Sequence, residues 1–170
     1  MTHADTLNKI LAMKGKTAIY WDMDGTLAEF DRISNYPKDF YINKRPINAI
    51  LNAAKLLSES GNIDHFVLSK LPPESEYITF AEAERTKSVW LDKWTPFIPK
   101  QNRIFTTDDT IMENGNYFGK YDFFKTILEN NNDYDNIVFI DDDIRHIRGC
   151  EVLEKEFNNF TIINTLELVD

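Results

Sequence analysis

Three features that would place the chain in a membrane or outside the cytoplasm are missing from its sequence. Cys150 is the only cysteine, so no disulfide can form within the chain. No apolar run approaches the roughly 18 residues of a membrane-spanning helix. The N-terminal stretch "MTHADTLNKILAMKGK" lacks the basic start, apolar segment and cleavage site of a secretory signal and is typical of a short amphipathic helix. We therefore expect a cytoplasmic protein with no membrane partner.

Basic residues are also scarce. The chain has 19 Lys and Arg residues against 28 Asp and Glu residues, which gives a net charge of -9 and a pI near 4.8. Broad adhesion to nucleic acid or to an anionic membrane depends on a basic surface, so the composition argues against a nucleic-acid partner. A localised basic pocket is still compatible with this composition, and a bound divalent cation would offset part of the acidity.

Five short apolar runs rich in β-branched and aromatic residues alternate with helical patterns, without internal repeats or a low-complexity linker. At 170 residues the chain is long enough for one domain with a full core and too short for two, so we predict a single domain over 1–170. The alternation predicts an α/β sandwich with a mostly parallel five-stranded sheet. The predicted strands are 17–21, 65–69, 103–106, 136–140 and 160–163, and the predicted helices are 46–60, 81–94 and 120–130.

Polar side chains gather where the predicted strands end. In a parallel sheet the carboxyl ends of the strands share one edge, and the ligand site lies there. Lys120 opens the helix that leads into the fourth strand and belongs to the same edge. The other residues at this edge are Asp22, Asp24, Gly25 and Thr26 after strand one, Ser69 and Lys70 after strand two, and Asp141, Asp142 and Asp143 after strand four.

Crowded carboxylates on one sheet edge predict a cation site. Oxygen ligands without nearby His or Cys favour Mg²⁺, and we expect Asp22, Asp24, Asp141 and Asp142 to form the metal site. A metal held by few protein ligands keeps positions for water and a phosphate oxygen, which suits phosphoryl transfer. The charge pattern therefore indicates a phosphate-processing site.

Each residue at this edge has a predicted role in such chemistry. Asp22 attacks phosphorus and becomes an aspartyl-phosphate, and Asp24 protonates the leaving oxygen and later deprotonates the hydrolytic water. Gly25 lets the chain turn sharply beneath the phosphate. Ser69 donates a hydrogen bond to the transferred group and Lys120 offsets its charge. We also expect Gly25, Thr26 and Lys70 to bind the substrate.

Four sequence motifs in this order resemble those of the haloacid dehalogenase-like (HAD) phosphatase superfamily: "DMDGTL", "VLS", "GKYDFFKTIL" and "VFIDDD". The resemblance implies a Rossmann-like fold, Mg²⁺ and an aspartyl-phosphate intermediate. By position it makes Asp22 the nucleophile and Asp24 the acid/base that also offers its backbone carbonyl to the metal. It makes Asp142 the motif-four metal ligand, with Asp141 steadying the lysine or a metal-bound water. An acid at Asp24 resembles the phosphatase branch of the superfamily, whereas the ATPase branch has threonine there.

Further segments are similar to the 5'(3')-deoxyribonucleotidases, namely "DMDGTLAEF", "FYINKRPI" and "KSVWLDKW". In that family the lysine lies in a K-x-x-W stretch, which makes Lys87 a rival to Lys120. We favour Lys120, because it stands 21 residues before Asp141 at the start of the helix that feeds strand four, as in the wider superfamily.

The chain departs from the nucleotidases in its cap. Residues 25–68 leave room for a short cap-like insertion at about 28–45 only, and Thr107 stands where that family tends to have arginine. Four aromatic residues of the insertion are candidates for stacking on a base: Phe30, Tyr36, Phe40 and Tyr41. His3, His65 and His146 have no ligand spacing, and no chemistry is assigned to them.

The sequence therefore predicts a Mg²⁺-dependent phosphomonoester hydrolase acting on a small phosphorylated substrate, with (deoxy)nucleoside monophosphates favoured. Two alternatives stay open. One is a phosphatase acting on a nucleic-acid end or a phosphoprotein, which a short cap would allow. The other is a non-catalytic phospho-acceptor module, which is less favoured because such modules carry the phosphorylated Asp on the third strand. The oligomeric state does not follow from the sequence.

Overall fold

A computed structural model describes residues 3–31, 37–107, 119–130 and 133–169. Five strands alternate with five α-helices in this part of the chain. No helix in the described ranges has the length and apolar character needed to cross a membrane. The elements are α1 (His3–Leu11), β1 (Thr17–Trp21), α2 (Asn48–Ser58), β2 (Ile63–Lys70), α3 (Phe80–Trp94), β3 (Arg103–Thr106), α4 (Gly119–Asn130), β4 (Asn136–Asp141), α5 (Ile144–Glu156) and β5 (Phe160–Asn164), with short 3₁₀ turns at Lys100–Asn102 and Thr165–Leu168.

The strands form one parallel sheet in the order β3-β2-β1-β4-β5. Alternate side chains of β1 enter different cores: Ile19 and Trp21 pack with residues of α1, α2 and α3, whereas Ala18 and Tyr20 pack with residues of α4 and α5. The sheet is therefore covered by helices on both faces, which explains why its central strand is apolar throughout. The predicted α/β, Rossmann-like layout with five parallel strands is confirmed.

Side-chain hydrogen bonds fix where two of the helices begin. A capping box starts α3, in which Thr79 and Glu82 satisfy each other's backbone N–H groups. The side chain of Asp143 accepts from the N–H of Arg145 and caps α5. Pro46 lies outside α2 and pairs instead with Ala28, so the segment before α2 is tied back to the end of the first motif.

The short insertion between β1 and α2 is fixed at its base. The N–H of Glu29 donates to the carbonyl of Arg45 at 2.8 Å, and the N–H of Ile47 donates to the carbonyl of Leu27 at 2.9 Å. Tyr41 is buried in a small third cluster with Leu71, Ile78 and Ala83. The insertion thus packs directly against the segment that follows β2. Tyr36 lies outside the described residues.

His65 is buried in the middle of β2, with 4% of its surface exposed. The indole N–H of Trp21 donates to its Nδ1 at 3.0 Å, so the ring proton of the neutral tautomer sits on the buried Nε2. A second proton on Nδ1 would oppose the Trp21 donor. Burial lowers the pKa of His65 to about 4.

A neutral His65 should make the protein less stable in mild acid. Since the unfolded chain takes up a proton near pH 6.5 and the folded chain only near pH 4, this contribution to stability is present above pH 6.5 and is lost between those values. We expect the free energy of unfolding to fall by up to about 3 kcal/mol over that range. Urea unfolding of wild type and His65→Gln at several pH values checks this, and parallel curves for the two proteins would contradict it.

Candidate active site

The first motif and the fourth motif meet at the carboxyl edge of the sheet. Asp22 follows β1 directly and its N–H donates to the carbonyl of Ile140 at 2.9 Å, which continues the pairing of β1 with β4. Asp141 is the last residue of β4. The two aspartates therefore lie side by side on neighbouring strands, although they are more than a hundred residues apart in sequence.

Lys120 joins these two carboxylates. Its Nζ donates to Asp22 Oδ1 and to Asp141 Oδ2, both at 2.7 Å, and its side chain is 1% exposed. Burial lowers the pKa of Lys120, but the charges of Asp141 and Asp22 outweigh burial and raise it above its ordinary range. Lys120 is thus a buried ammonium group held directly beside the predicted nucleophile.

Both carboxylate oxygens of Asp141 are already used. Oδ2 also contacts Nδ1 of His146 at 3.0 Å, and Oδ1 accepts from the N–H of Asp143 at 2.8 Å. Burial raises the pKa of Asp141, yet the charge of Lys120 and the contact with His146 bring it down to about 2. Asp141 is therefore an ionised anchor for Lys120. No chemistry was predicted for His146, and its contact with Asp141 helps to hold that carboxylate in place.

Asp142 completes a group of three carboxylates that could hold a metal ion. One oxygen from each of Asp22, Asp141 and Asp142 lies within 4.8 Å of the others. Burial raises the pKa of Asp142 to about 7, with added repulsion from Asp22 and Asp141. Burial likewise raises the pKa of Asp22 to about 6, although Lys120 opposes it. The three carboxylates carry more negative charge than the single ammonium group of Lys120 can balance.

This donor set fits Mg²⁺. Its ligands are oxygens, which Mg²⁺ prefers, and crowded carboxylates are stable as anions when a cation neutralises them. Asp142 is the best candidate for a direct ligand, because within the described part of the chain its carboxylate accepts only one long hydrogen bond from a side chain, from Thr26 Oγ1 at 3.4 Å. Asp24 belongs to the predicted metal set through its backbone carbonyl, and its carboxylate lies outside this group of three.

Gly25 and Thr26 shape the turn next to Asp142. Gly25 has φ +94°, and a Cβ at this position would overlap the carboxylate of Asp142. Thr26 is fully buried, and its hydroxyl contacts Thr165 Oγ1 at 2.9 Å as well as Asp142. Thr26, which was predicted to bind substrate, is thus a buried residue whose hydroxyl makes a long contact of 3.4 Å with Asp142.

Asp24 is held by two lysines from different parts of the chain. Lys87 of α3 pairs with its Oδ2, and Lys44 of the insertion pairs with its Oδ1. Burial raises the pKa of Asp24, but the charges of Lys87 and Lys44 prevail and leave it below its ordinary value. Asp24 is therefore a carboxylate in this state, with one ammonium group on each oxygen.

Ser69 contacts Lys87, one of the two lysines that pair with Asp24. It is fully buried, and Lys87 Nζ donates to its Oγ at 2.8 Å and to the backbone carbonyl of Lys70 at 2.8 Å. The two lysines that the sequence offered for phosphate binding thus have different partners. Lys120 donates to Asp22 and Asp141, and Lys87 donates to Asp24 and Ser69. The K-x-x-W stretch lies within the site without displacing Lys120.

Lys44 was missed by the sequence analysis. It lies in an insertion without periodicity, and "FYINKRPI" offers no local sign that its lysine is buried. In the structure its side chain is 2% exposed, and its carbonyl accepts from the indole N–H of Trp90 at 2.9 Å. Only the packing of the insertion against α3 reveals its place.

A cleft of about 620 Å³ opens over these carboxylates. Phe30 is 56% exposed and Tyr41 is buried; both line the cleft, whereas Phe40 packs behind it against Tyr41. The other lining residues come from both sides of the sheet edge: Asp22, Asp24, Asp31, Lys44, Lys70, Leu71, Pro72, Pro73, Asp141, Asp142, Asp143, Ile144, Arg145 and His146.

Comparison with known proteins identifies related folds. No protein-family model matches the chain, and no curated protein matches it. Among solved structures, chains from "Structure of Pnkp1/Rnl/Hen1 complex" and "Structure of the Pnkp1/Rnl/Hen1 RNA repair complex" are similar, with TM-scores of 0.54 and 0.57, 13% identity in each case, and 89% of this chain covered. A third, "Structure of DsGPDH of Dunaliella salina", has a TM-score of 0.48, 17% identity and 85% coverage of this chain.

This chain spans less than half the length of those chains, at 47%, 43% and 23% respectively. At such low identity the likeness concerns the course of the backbone, because side chains at a site can differ entirely between proteins that share a fold. The comparisons therefore show that this chain shares its α/β fold with chains of the Pnkp1/Rnl/Hen1 structures.

Proposed function

We propose that the chain is a HAD-like, Mg²⁺-dependent phosphomonoester hydrolase that works through an aspartyl-phosphate on Asp22. One observation carries the proposal: Lys120 lies buried between Asp22 and Asp141 at a sheet edge where Asp142 adds a third carboxylate. A buried lysine there keeps the nucleophile ionised and reduces its repulsion of an anionic phosphate.

Asp22 is the nucleophile of the proposed reaction. One of its oxygens bonds to phosphorus while the bond from phosphorus to the leaving oxygen breaks, and the electron pair of that bond goes to the leaving oxygen. Asp24 is a carboxylate in the structure, so it has to take up a proton from solvent before it can give one to this oxygen. It later takes a proton from the water that attacks the aspartyl-phosphate, which returns it to the protonated form. Inorganic phosphate is released and the Asp22 carboxylate is restored.

The surrounding residues hold this geometry. Asp141 and His146 anchor Lys120, and Thr26 supports Asp142, while the Ser69 hydroxyl is proposed to donate to the transferred phosphoryl group. Mg²⁺ would be held by Asp22, Asp142 and the carbonyl of Asp24, where it supplies neutralisation of the charge on the phosphoryl oxygens.

Nucleoside or deoxynucleoside monophosphates are the proposed substrates. The support is an exposed aromatic ring, Phe30, on the wall of a cleft whose floor holds the carboxylates, because a base can stack on such a ring. Lys70 and Arg145 also line the cleft, and Arg145 pairs there with Asp143 at 2.6 Å.

A phosphorylated nucleic-acid end is the second candidate. Two features favour it: the cap-like insertion at about 28–45 is short, and the fold resembles a chain from a structure described as an RNA repair complex. The net charge of -9 opposes extended contact with nucleic acid, so any such substrate would be gripped mainly at its end.

Hydrolysis of p-nitrophenyl phosphate with and without Mg²⁺ tests the proposed reaction. We expect turnover that requires the metal, and no turnover by pure protein with Mg²⁺ would contradict the proposal. A panel of nucleoside 5'- and 3'-monophosphates, sugar phosphates and a 3'- or 5'-phosphorylated oligonucleotide then separates the substrates. The nucleotide assignment is wrong if nucleotides are hydrolysed no better than p-nitrophenyl phosphate.

Gly25→Ala should impair both folding and turnover. The substitution adds a side chain at φ +94° and pushes a Cβ into the Asp142 carboxylate, so we expect a loss of about 1–2 kcal/mol from the backbone and at least about a tenfold loss of kcat.

Two other glycines provide controls for that experiment. Gly15 also has a positive φ of +83° and a Cβ there would overlap Asp135, far from the site, whereas a Cβ at Gly61 meets no atom within 4 Å. Gly15→Ala should lose stability and keep kcat, and Gly61→Ala should keep both. Equal kcat in all three variants would show that the Gly25 turn does not position Asp142.

A further inference from the structure

We propose that Ile144 is a specificity-determining residue that, together with Phe30, holds a flat ring of the leaving group in the outer part of the cleft. This inference rests on the proposed function and names the class of substrate: a phosphomonoester whose leaving group carries an aromatic or heteroaromatic ring. Ile144 and Phe30 are large apolar side chains that line the cleft, with 47% and 56% of their surface exposed. We call this pair the ring subsite.

The two side chains reach the cleft from opposite faces of the sheet. Phe30 belongs to the insertion, which packs against α3: Trp90 donates to the Lys44 carbonyl at 2.9 Å, and the Lys44 ammonium group lies 5.9 Å from the centroid of the Phe30 ring. Trp90 belongs to the core formed with α1 and α2. Ile144 begins α5, and Leu153 of that helix belongs to the core on the other face. A ring between Phe30 and Ile144 is therefore covered on both of its sides.

The start of α5 fixes Ile144 relative to the carboxylates. The N–H of Asp143 donates to Asp141 Oδ1 at 2.8 Å, and the side chain of Asp143 accepts from the N–H of Arg145 at 2.9 Å. The first turn of the helix is thus tied to the end of β4. Because isoleucine is branched at Cβ, it strongly favours one rotamer in a helix. Ile144 is therefore a rigid wall that loses little conformational entropy when a substrate covers it.

The rest of the outer wall is also largely apolar. Leu71, Pro72 and Pro73 follow β2 and line the cleft, and the proline rings limit the backbone to a narrow range of φ. Among the described residues that line the cleft there is no Ser, Thr, Asn or Gln, whose small uncharged groups can donate to and accept from the hydroxyl groups of a sugar. The cleft of about 620 Å³ has the size of a small-molecule site. Its outer part therefore favours a flat ring over a polyol.

Substrates that differ in the base isolate the contribution of Ile144. Ribose 5-phosphate has the phosphate ester of a nucleoside 5'-monophosphate and lacks the ring. We expect wild type to hydrolyse adenosine and uridine 5'-monophosphates with a higher kcat/KM than ribose 5-phosphate. Ile144→Ala should lower the ratio of these kcat/KM values by roughly 3- to 15-fold, as expected when a half-exposed aliphatic side chain is withdrawn from a ligand. The loss should appear mainly as a higher KM for the nucleotides, because the base is bound alike before and during the chemical step.

Val152→Ala is the matched control. Val152 is a β-branched residue of the same helix with 50% of its surface exposed, and it does not belong to the lining of the cleft. This variant should keep the ratio of wild type. Phe30→Ala should lower the ratio, and the double variant with Ile144→Ala should lose less than the product of the two single losses, because both side chains hold one ring. Losses that simply multiply would show that the two side chains contact separate parts of the substrate and would overturn the ring subsite.

The ring can belong to a free nucleotide or to the end of a strand. A 5'-phosphorylated oligonucleotide presents the same ring beside its terminal phosphate. A preference for either the mononucleotides or the oligonucleotide over ribose 5-phosphate supports the ring subsite, and the higher kcat/KM identifies the source of the ring. No preference for any of them over ribose 5-phosphate would overturn the proposal.

Binding of adenosine in the presence of a chelator gives a readout that needs neither metal nor turnover. In ligand-observed NMR, adenosine should bind equally to wild type and Val152→Ala and should bind Ile144→Ala more weakly, again by roughly 3- to 15-fold. No binding to wild type, or equal binding to wild type and Ile144→Ala, would overturn the role of Ile144. Absence of turnover on every phosphate ester would instead contradict the proposed function, and adenosine binding would still test the ring subsite.

Discussion

Asp22→Asn is expected to abolish hydrolysis, with kcat reduced by about 10⁴-fold or more, as when a covalent nucleophile is removed from an enzyme that depends on it. The amide has the shape of the carboxylate but cannot form an acyl phosphate. Turnover of p-nitrophenyl phosphate at saturating Mg²⁺ measures the effect.

The fold of this variant should survive. Asp22 is buried and its ionised form is opposed by burial and by Asp141 and Asp24, while Lys120 keeps Asp141 as a partner. We therefore expect the thermal midpoint of Asp22→Asn in the presence of a chelator to equal or exceed that of wild type. Activity retained in a folded Asp22→Asn protein would refute the assignment of the nucleophile.

Lys120→Met has the second large expected effect. It removes the cation between Asp22 and Asp141, so phosphate would approach an unscreened pair of carboxylates, and we expect kcat to fall by roughly 10²–10³-fold. Stability should also fall, by about 3–5 kcal/mol, because the variant leaves buried carboxylates without their partner. Turnover at saturating Mg²⁺ and urea unfolding measure the two effects.

Lys87→Met is the matched comparison, because it removes the other buried lysine of the site. Lys87 contacts Asp24 and Ser69, so its loss should alter the acid/base and the serine and leave the Lys120 bridge in place. The prediction that Lys120, and not Lys87, offsets the charge of the phosphoryl group is wrong if Lys87→Met loses kcat and a folded Lys120→Met does not.

The layout of the sheet could be predicted from sequence because each strand carries its own signal. β1 and β4 are short, apolar and buried on both faces, and a helix separates successive strands along most of the chain. Once the sheet is parallel, residues after different strands must share an edge. That reasoning alone brought Asp22 and Asp141 together, and the structure confirms that they are neighbours.

The partners within the site could not be predicted in the same way. Whether Lys87 would face Asp24 or Asp22 depends on how α3 is rotated and how far it reaches, and no local pattern encodes this. The contact of His146 with Asp141 depends likewise on how α5 leaves β4. Lys44 is the clearest case, because its position follows from a hydrogen bond to Trp90, 46 residues away.

Three buried lysines pair with two carboxylates that are only two residues apart in the sequence. Lys120 holds Asp22 from α4, whereas Lys87 and Lys44 hold Asp24 from α3 and from the insertion. Such a division gives each aspartate its own electrostatic environment, with the pKa of Asp22 raised and that of Asp24 lowered. The two carboxylates are therefore distinguished by their surroundings.

The stereochemical course at phosphorus tests the aspartyl-phosphate mechanism most directly. Each in-line displacement inverts the configuration at phosphorus, so attack by Asp22 followed by attack of water gives net retention. A phosphate monoester made chiral with oxygen isotopes and sulfur, hydrolysed by the wild-type protein with Mg²⁺, should yield inorganic thiophosphate with retained configuration. Inversion would show that water attacks the substrate directly and that Asp22 does not form a covalent intermediate.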